Sequence, residues 1–209
     1  MPIDPSAIDQ FVAAEGEQVL HQIGMRCWCC GRDGQLDPNC REHDITGSVY
    51  GPAMEITGLF TDIMQRKELA ASGLFIPGDA IFSPLTGNEV SEGDKITMLT
   101  PLPHGKGDAL TRGGGDADLL MYEATSGIFC MDEQKVRYAE GGDFRLNGKH
   151  IEWRWQGKGG LTPRIGTRYS IKYRAYIEWI AFFPPVERFS HGEDIGSKVM
   201  LRKLHLLSS

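Results

Sequence analysis

Four of the chain's five cysteines stand in one short run, CWCCGRDGQLDPNCREH, which holds Cys27, Cys29, Cys30, Cys40 and, three residues on, His43. Thiolate and imidazole are the donors that tetrahedral metal sites favour. Cys27-x-x-Cys30-Gly31 has the form of a zinc knuckle. Two thiolates on a tight turn aim at one ion, and the glycine lets the backbone close around the second. Cys40-x-x-His43 offers the other two ligands of a Cys₃His set. Cys27-x-Cys29 is an equally open pair, which leaves one of Cys29 and Cys30 spare. Without a metal the alternatives are buried thiols or a disulfide. A four-ligand set has no open position for water, so the expected cofactor is structural Zn2+. The loop is rich in Gly31, Gly34, Asp37, Pro38 and Asn39 and has little to bury. Structural zinc contributes about 10–16 kcal/mol in small fingers, enough to offset the ordering of such a segment.

No second constellation competes, and no catalytic residues are expected. H-E-x-x-H and the nucleophile elbow are absent. His104, His150, His191 and His205 are scattered with no partner implied by spacing. The stretch PHGKGDALTRGGGDAD lacks the residue order and strand-to-helix frame of a phosphate cradle and is expected to be a mobile surface loop. Trp153, Trp155 and Trp179 could stack on sugars or bases, but at alternating strand positions they are expected in the core.

The elements that must position the cysteine run are mostly strands. Asp4-Pro5 reads as a helix cap, followed by a short amphipathic helix to about His21 that packs on its own domain or grips a neighbouring subunit. Tyr169 to Ala181 alternates with period two: Tyr169, Ile171, Tyr173, Ala175, Ile177, Trp179 and Ala181 share one face. Arg168, Ser170, Lys172, Arg174 and Glu178 share the other, a mildly basic solvated face. Ile151, Trp153 and Trp155 alternate likewise, so the two runs are expected to pair as a hairpin. Pro184-Pro185 ends the long strand, and the polar SHGEDIGSK loop precedes a last strand from Val199 to Leu206. Residues 62–71 fit a helical turn or a strand equally. Many short strands with glycine turns predict a mainly β fold, a barrel or sandwich of short antiparallel strands, with an N-terminal helix and a small zinc-ribbon-like loop. The expected division is a helical arm over 1–24, the Cys/His loop over 25–48 and a β-domain over 49–209.

With 209 residues the chain is long enough for a real core. Its net charge of −6 argues against bulk attraction to nucleic acid. The start lacks the basic end and apolar run of a signal peptide, and no stretch is long enough to span a membrane. The expected setting is a cytosol that keeps thiols reduced.

Three stretches occur in an order that resembles a group of tailed-bacteriophage structural proteins of the head–tail connection or neck type. The first is the cysteine run ending in Asp37-Pro38-Asn39-Cys40-x-x-His43, with Gly47 and Tyr50 after it. The second is Pro77-Gly78-Asp79-Ala80 followed by Glu92-Gly93-Asp94-Lys95-Ile96-Thr97. The third runs from Glu140-Gly141-Gly142-Asp143-Phe144-Arg145-Leu146 through Ile151-x-Trp153 to Gly166-Thr167-x-Tyr169-Ser170-Ile171-x-Tyr173 and Glu178-Trp179. The resemblance covers most of the chain beyond residue 25. The chain departs from that pattern at His43, where cysteine is expected, and in carrying Cys30 beside Cys29. The resemblance implies a non-enzymatic virion component assembled in the host cytoplasm. It implies a homo-oligomeric neck or stopper ring between portal-adaptor and tail terminator or tube proteins, through which packaged DNA passes without sequence-specific binding. A tail or baseplate component is the alternative within the same particle. A zinc-ribbon module for nucleic acid or protein is the alternative of another class.

Overall fold

The Asp4 carboxylate accepts a hydrogen bond from the Ser6 N–H at 2.9 Å, and helix α1 (Pro5–Glu15) starts where the sequence places it. The computed structural model describes residues 4–30, 40, 42–43, 46–62, 75–153, 160–190 and 193–207. The expected helical turn or strand beyond Asp62, Trp155 and His191 lie outside them. The helix is shorter than its expected reach to His21. Gly16 is extended, its N–H bonds the Val12 carbonyl, and a Cβ there would overlap that oxygen. The chain leaves as a strand, β1 (Glu17–Gln22), whose Val19 and His21 are buried.

The chain forms two compact units, Met1–Leu99 with Glu178–Ser209, and Thr100–Ile177. The first is organised by a closed circuit of antiparallel strands. β1 pairs with β4 (Met54–Asp62) and β6 (Lys95–Met98). β4 pairs with β5 (Ala80–Pro84), and β5 with β17 (Glu193–Lys203). β15 (Glu178–Ala181) pairs with both β17 and β6 and closes the six-stranded barrel. Closure removes the free edges that an open sheet would expose. Val19, Ile56, Phe82, Ile96, Val199 and Leu201 are buried, and Phe60 packs on Phe82 and Trp179 with ring centroids 5.0 and 5.9 Å apart. Helix α1 packs on β4 and β17 of its own unit through Val12. A short ribbon, β2 (Gly24–Arg26) with β3 (Ser48–Tyr50), carries the cysteine run. The loop expected over 190–198 is mostly a hairpin: β16 (Val186–Ser190) pairs with β17, which runs from Glu193 to Lys203 before a 3-10 turn over Leu204–Leu206.

The second unit has a five-stranded sheet. β10 (Ala124–Asp132) pairs with β11 (Arg137–Tyr138) and β14 (Arg168–Ala175), and β14 also pairs with β7 (Leu102–Pro103) and β8 (Asp108–Thr111). A three-stranded sheet orders β12 (Phe144–Asn147), β13 (His150–Trp153) and β9 (Ala117–Leu119). Three expectations are overturned here. The long alternating run is two strands: β14 ends at Ala175, the Tyr176 N–H makes a last bond to the Glu123 carbonyl just before β10, and β15 pairs within the barrel. The expected hairpin does not form, since β13 pairs with β12 and β9, and β14 with β10, β8 and β7. The glycine-rich stretch is not simply a surface loop, because it supplies β8 and parts of β7 and β9 and buries His104, Arg112 and Asp118. Asp118 accepts hydrogen bonds from Gly113 N–H at 2.8 Å, Trp153 Nε1 at 3.0 Å and the Tyr169 hydroxyl at 2.8 Å. Trp153 is a core residue, as expected.

Candidate metal centre

The cysteine loop begins where β2 ends. Cys27 is buried and its N–H bonds the Gly47 carbonyl at 2.9 Å, so the two ends of the loop are joined at its root. The Cys30 N–H bonds the Cys27 carbonyl at 3.1 Å, making the tight turn that the Cys27-x-x-Cys30 spacing requires. This turn gathers the donors into two overlapping triads, Cys27, Cys29 and Cys40 and then Cys29, Cys30 and His43, each with its ligand atoms within 4.8 Å of one another. Cys29 belongs to both. Cys27 Sγ lies 3.8 Å from Cys40 Sγ and 3.1 Å from Cys29 Sγ. A tetrahedral ion with metal–sulfur bonds of roughly 2.3 Å holds its sulfurs about 3.8 Å apart. The first pair already has that separation, and the second reaches it by opening about 0.7 Å.

Cys27, Cys29, Cys40 and His43 therefore cluster in a geometry that can hold a metal ion. Cys30 stands in the second triad with its Sγ 3.7 Å from the Gly47 carbonyl. The electrostatics separate the thiols. A hydrogen bond from Cys29, joined by backbone N–H groups of Glu42 and His43, holds the Cys40 thiol below its ordinary pKa. Burial, together with hydrogen bonds among the neighbouring thiols, pushes Cys29 up. Of these two thiols Cys40 is thus the readier to ionise. A cation drawn to it would then favour loss of the remaining protons.

The root of the loop is tied to the barrel by a buried carboxylate that the sequence marks only as part of a turn. Asp94 accepts from Gly24 N–H and Ser91 N–H, each at 2.8 Å, and lies 2.8 Å from His21 Nε2 on β1. Burial works to raise the Asp94 pKa, but the bonds from His21, Ser91 and Gly24 outweigh it and hold the carboxyl below its ordinary value. A Cβ on Gly24 would overlap the Gly93 carbonyl, so this approach of ribbon to barrel requires glycine. Lys95 Nζ stacks 4.2 Å from the centroid of the Tyr50 ring and adds a second clamp.

The scattered histidines separate once folded. His104 is buried against Asp108 at 2.9 Å, and Asp108 also accepts from Met121 N–H and the Tyr173 hydroxyl at 2.8 Å. His150 is exposed on β13. Beside the metal cluster, Trp28 is 75 % exposed, with Ile23 and Met25 exposed nearby on the same segment. No helix among the described residues is long and apolar enough to cross a membrane. Comparison of the chain with protein families and with curated proteins found no match.

Proposed function

We propose that this chain is a structural, non-enzymatic building block of a tailed-phage virion, a neck or stopper component that assembles as a homo-oligomeric ring between portal-adaptor and tail. The observation that carries the proposal is the pairing of a closed barrel with a donor-rich loop rooted in it. A closed barrel offers a rigid body, and the ribbon and its loop offer Ile23, Met25 and Trp28 to solvent as apolar anchors for a neighbour. The order of the sequence stretches that resemble neck proteins supports the same placement. The buried carboxylates Asp79, Asp94, Asp118 and Asp132 and the half-buried Asp108 are each engaged by backbone, aromatic, histidine or arginine donors, which suits a scaffold role.

The loop holds one structural zinc, in this proposal, through Cys27, Cys29, Cys40 and His43, with Cys30 in reserve beside them. Thiolates with one imidazole are zinc's usual structural set. The metal would fix the loop and leave the chemistry of the particle to others.

Native mass spectrometry tests the assembly. Rings of the purified chain, alone or with portal-adaptor and tail-tube proteins, are the expected result. A chain that stays monomeric with those partners present is not a neck ring. Imaging of labelled particles separates a neck position from a tail or baseplate position.

A further inference from the structure

The break after β14 changes the charge of its outward face. In the sequence, Glu178 shares the alternation of Arg168, Lys172 and Arg174. In the fold, Glu178 is buried on β15 in the other unit, and β14 keeps Arg168, Ser170, Lys172 and Arg174 exposed along one side. Register extends that face across the sheet. Phe129 lies opposite Lys172, Ser126 opposite Arg174, Met131 opposite Ser170, and Arg137 opposite Met131. Thr111 and Ala109 flank Arg168 and Ser170 on the other side. The strand positions of this face therefore hold four cations and no carboxylate, and one carboxylate stands beside them, that of Glu133, just past the end of β10, whose N–H bonds the Arg168 carbonyl at 3.0 Å. Among the described residues, none of Arg137, Arg168, Lys172 and Arg174 forms an ion pair. A depression of about 430 Å³ opens at the Arg168 end, with Glu133 and Asp132 in its lining.

The net charge of −6 conceals this. Thr100–Ile177 carries 12 Lys and Arg against 9 Asp and Glu, a net +3, while the rest of the chain carries 10 against 19, a net −9. Exposed charges are screened within roughly 8 Å at physiological salt, so the local face and not the total decides what docks there.

We infer that the outward face of the β10–β14–β8 sheet binds the phosphate backbone of duplex DNA without reading its sequence. Unpaired cations on a regular strand suit a regular row of phosphates, and sequence-independent binding needs nothing more. A duplex fits better than a single strand. Phe129 is the exposed aromatic ring of the face, and the Arg137 guanidinium covers it at 5.4 Å from the ring centroid. Bases stripped from a helix would thus lack the open stacking platforms that single-strand binders provide. The inference stands on this face alone. A monomer that binds DNA would keep it and remove the ring, and a ring that ignores DNA would do the reverse.

The test is fluorescence anisotropy of the full chain with a short labelled duplex of arbitrary sequence, across a series of salt concentrations. Binding at low salt that weakens steeply with added salt is expected. The double variant Lys172→Glu with Arg174→Glu should bind about tenfold or more weakly at low salt and lower the salt slope by about 2. Both positions are exposed, so an unchanged thermal melt shows the variant folded. No duplex binding at low salt overturns the inference, and so does a double variant that binds as the parent does. Tighter binding to a single strand than to duplex overturns it as well. Binding that survives the double variant but disappears in Cys29→Ser places the nucleic-acid site in the cysteine loop and overturns it. Loss of self-association in the double variant, with duplex binding intact, assigns the face to a second copy and overturns it too.

Discussion

Cys29 is the residue on which both donor triads converge. From spacing alone Cys29 and Cys30 are interchangeable, since Cys27-x-Cys29 and Cys27-x-x-Cys30 are both workable ligand pairs. The turn places Cys29 Sγ 3.1 Å from Cys27 Sγ and in both triads, and Cys30 Sγ 3.7 Å from the Gly47 carbonyl and in one of them. Cys29→Ser is therefore expected to abolish metal retention, while Cys30→Ser keeps it. Elemental analysis of protein purified under reducing conditions checks this, with about one zinc per chain as the parent value. Acid acts in the same direction, because thiolates must stay deprotonated to bind. Cys130 is a separate case. Burial, with the nearby charges of Asp132 and Asp143, pushes its thiol up to about 12, so it should resist alkylation in the folded chain. Trp28 makes a different prediction. Its side chain is exposed, so Trp28→Ala should change folding stability by no more than about 0.5 kcal/mol. In the proposed ring, with Trp28 as an interface anchor, its loss should weaken assembly by about 2 kcal/mol or more, read as a shift in the oligomer's dissociation midpoint.

Among the elements, the cap of α1, the alternation of β14 and β13 and the turn at Glu92-Gly93-Asp94 were legible because each rests on local chemistry. What local chemistry cannot show is which strand lies beside which. The even spacing of Arg168 to Glu178 runs on unbroken through Tyr176 and Ile177, although β14 ends at Ala175 and Glu178 opens a strand of another sheet. One local signal, Asn147-Gly148, marks the true hairpin of β12 with β13, and Gly148 turns with φ 56°. The glycine-rich stretch misleads because its anchors, Asp108 and Asp118, find their Tyr173, Trp153 and Tyr169 partners far along the chain. At this scale Asp94 joins β1, the ribbon and β6. Asp94→Ala should cost about 3–5 kcal/mol, measured by urea unfolding, because it removes a buried charge shared by three donors. The depressed carboxyls of Asp94 and Asp108 also fix the sign of the acid response. Their folded pKa values lie below the unfolded value of roughly 3.9. The stability they contribute is whole above that pH and is lost as pH falls through the folded values, so the thermal midpoint should drop in that acid range and stay level above it.

At the scale of the molecule, the mainly β class, the barrel, the N-terminal helix and the donor cluster were all within reach of the sequence. The separation of a net-acidic from a net-basic unit was not, because the chain leaves the barrel and returns to it seventy-eight residues later. The departure and the return lie side by side: Thr97 of β6 pairs directly with Glu178 of β15, and Ile96 with Trp179. Residues Thr100–Ile177 are thus a detour between neighbouring staves. Two strands in that relation can be joined by a hairpin turn of about two to four residues. A shortened protein with such a turn in place of Thr100–Ile177 should still fold and keep its metal, and it should have lost its grip on duplex DNA. The same graft point would accept a foreign domain, making the barrel a socket into which other binding surfaces could be plugged.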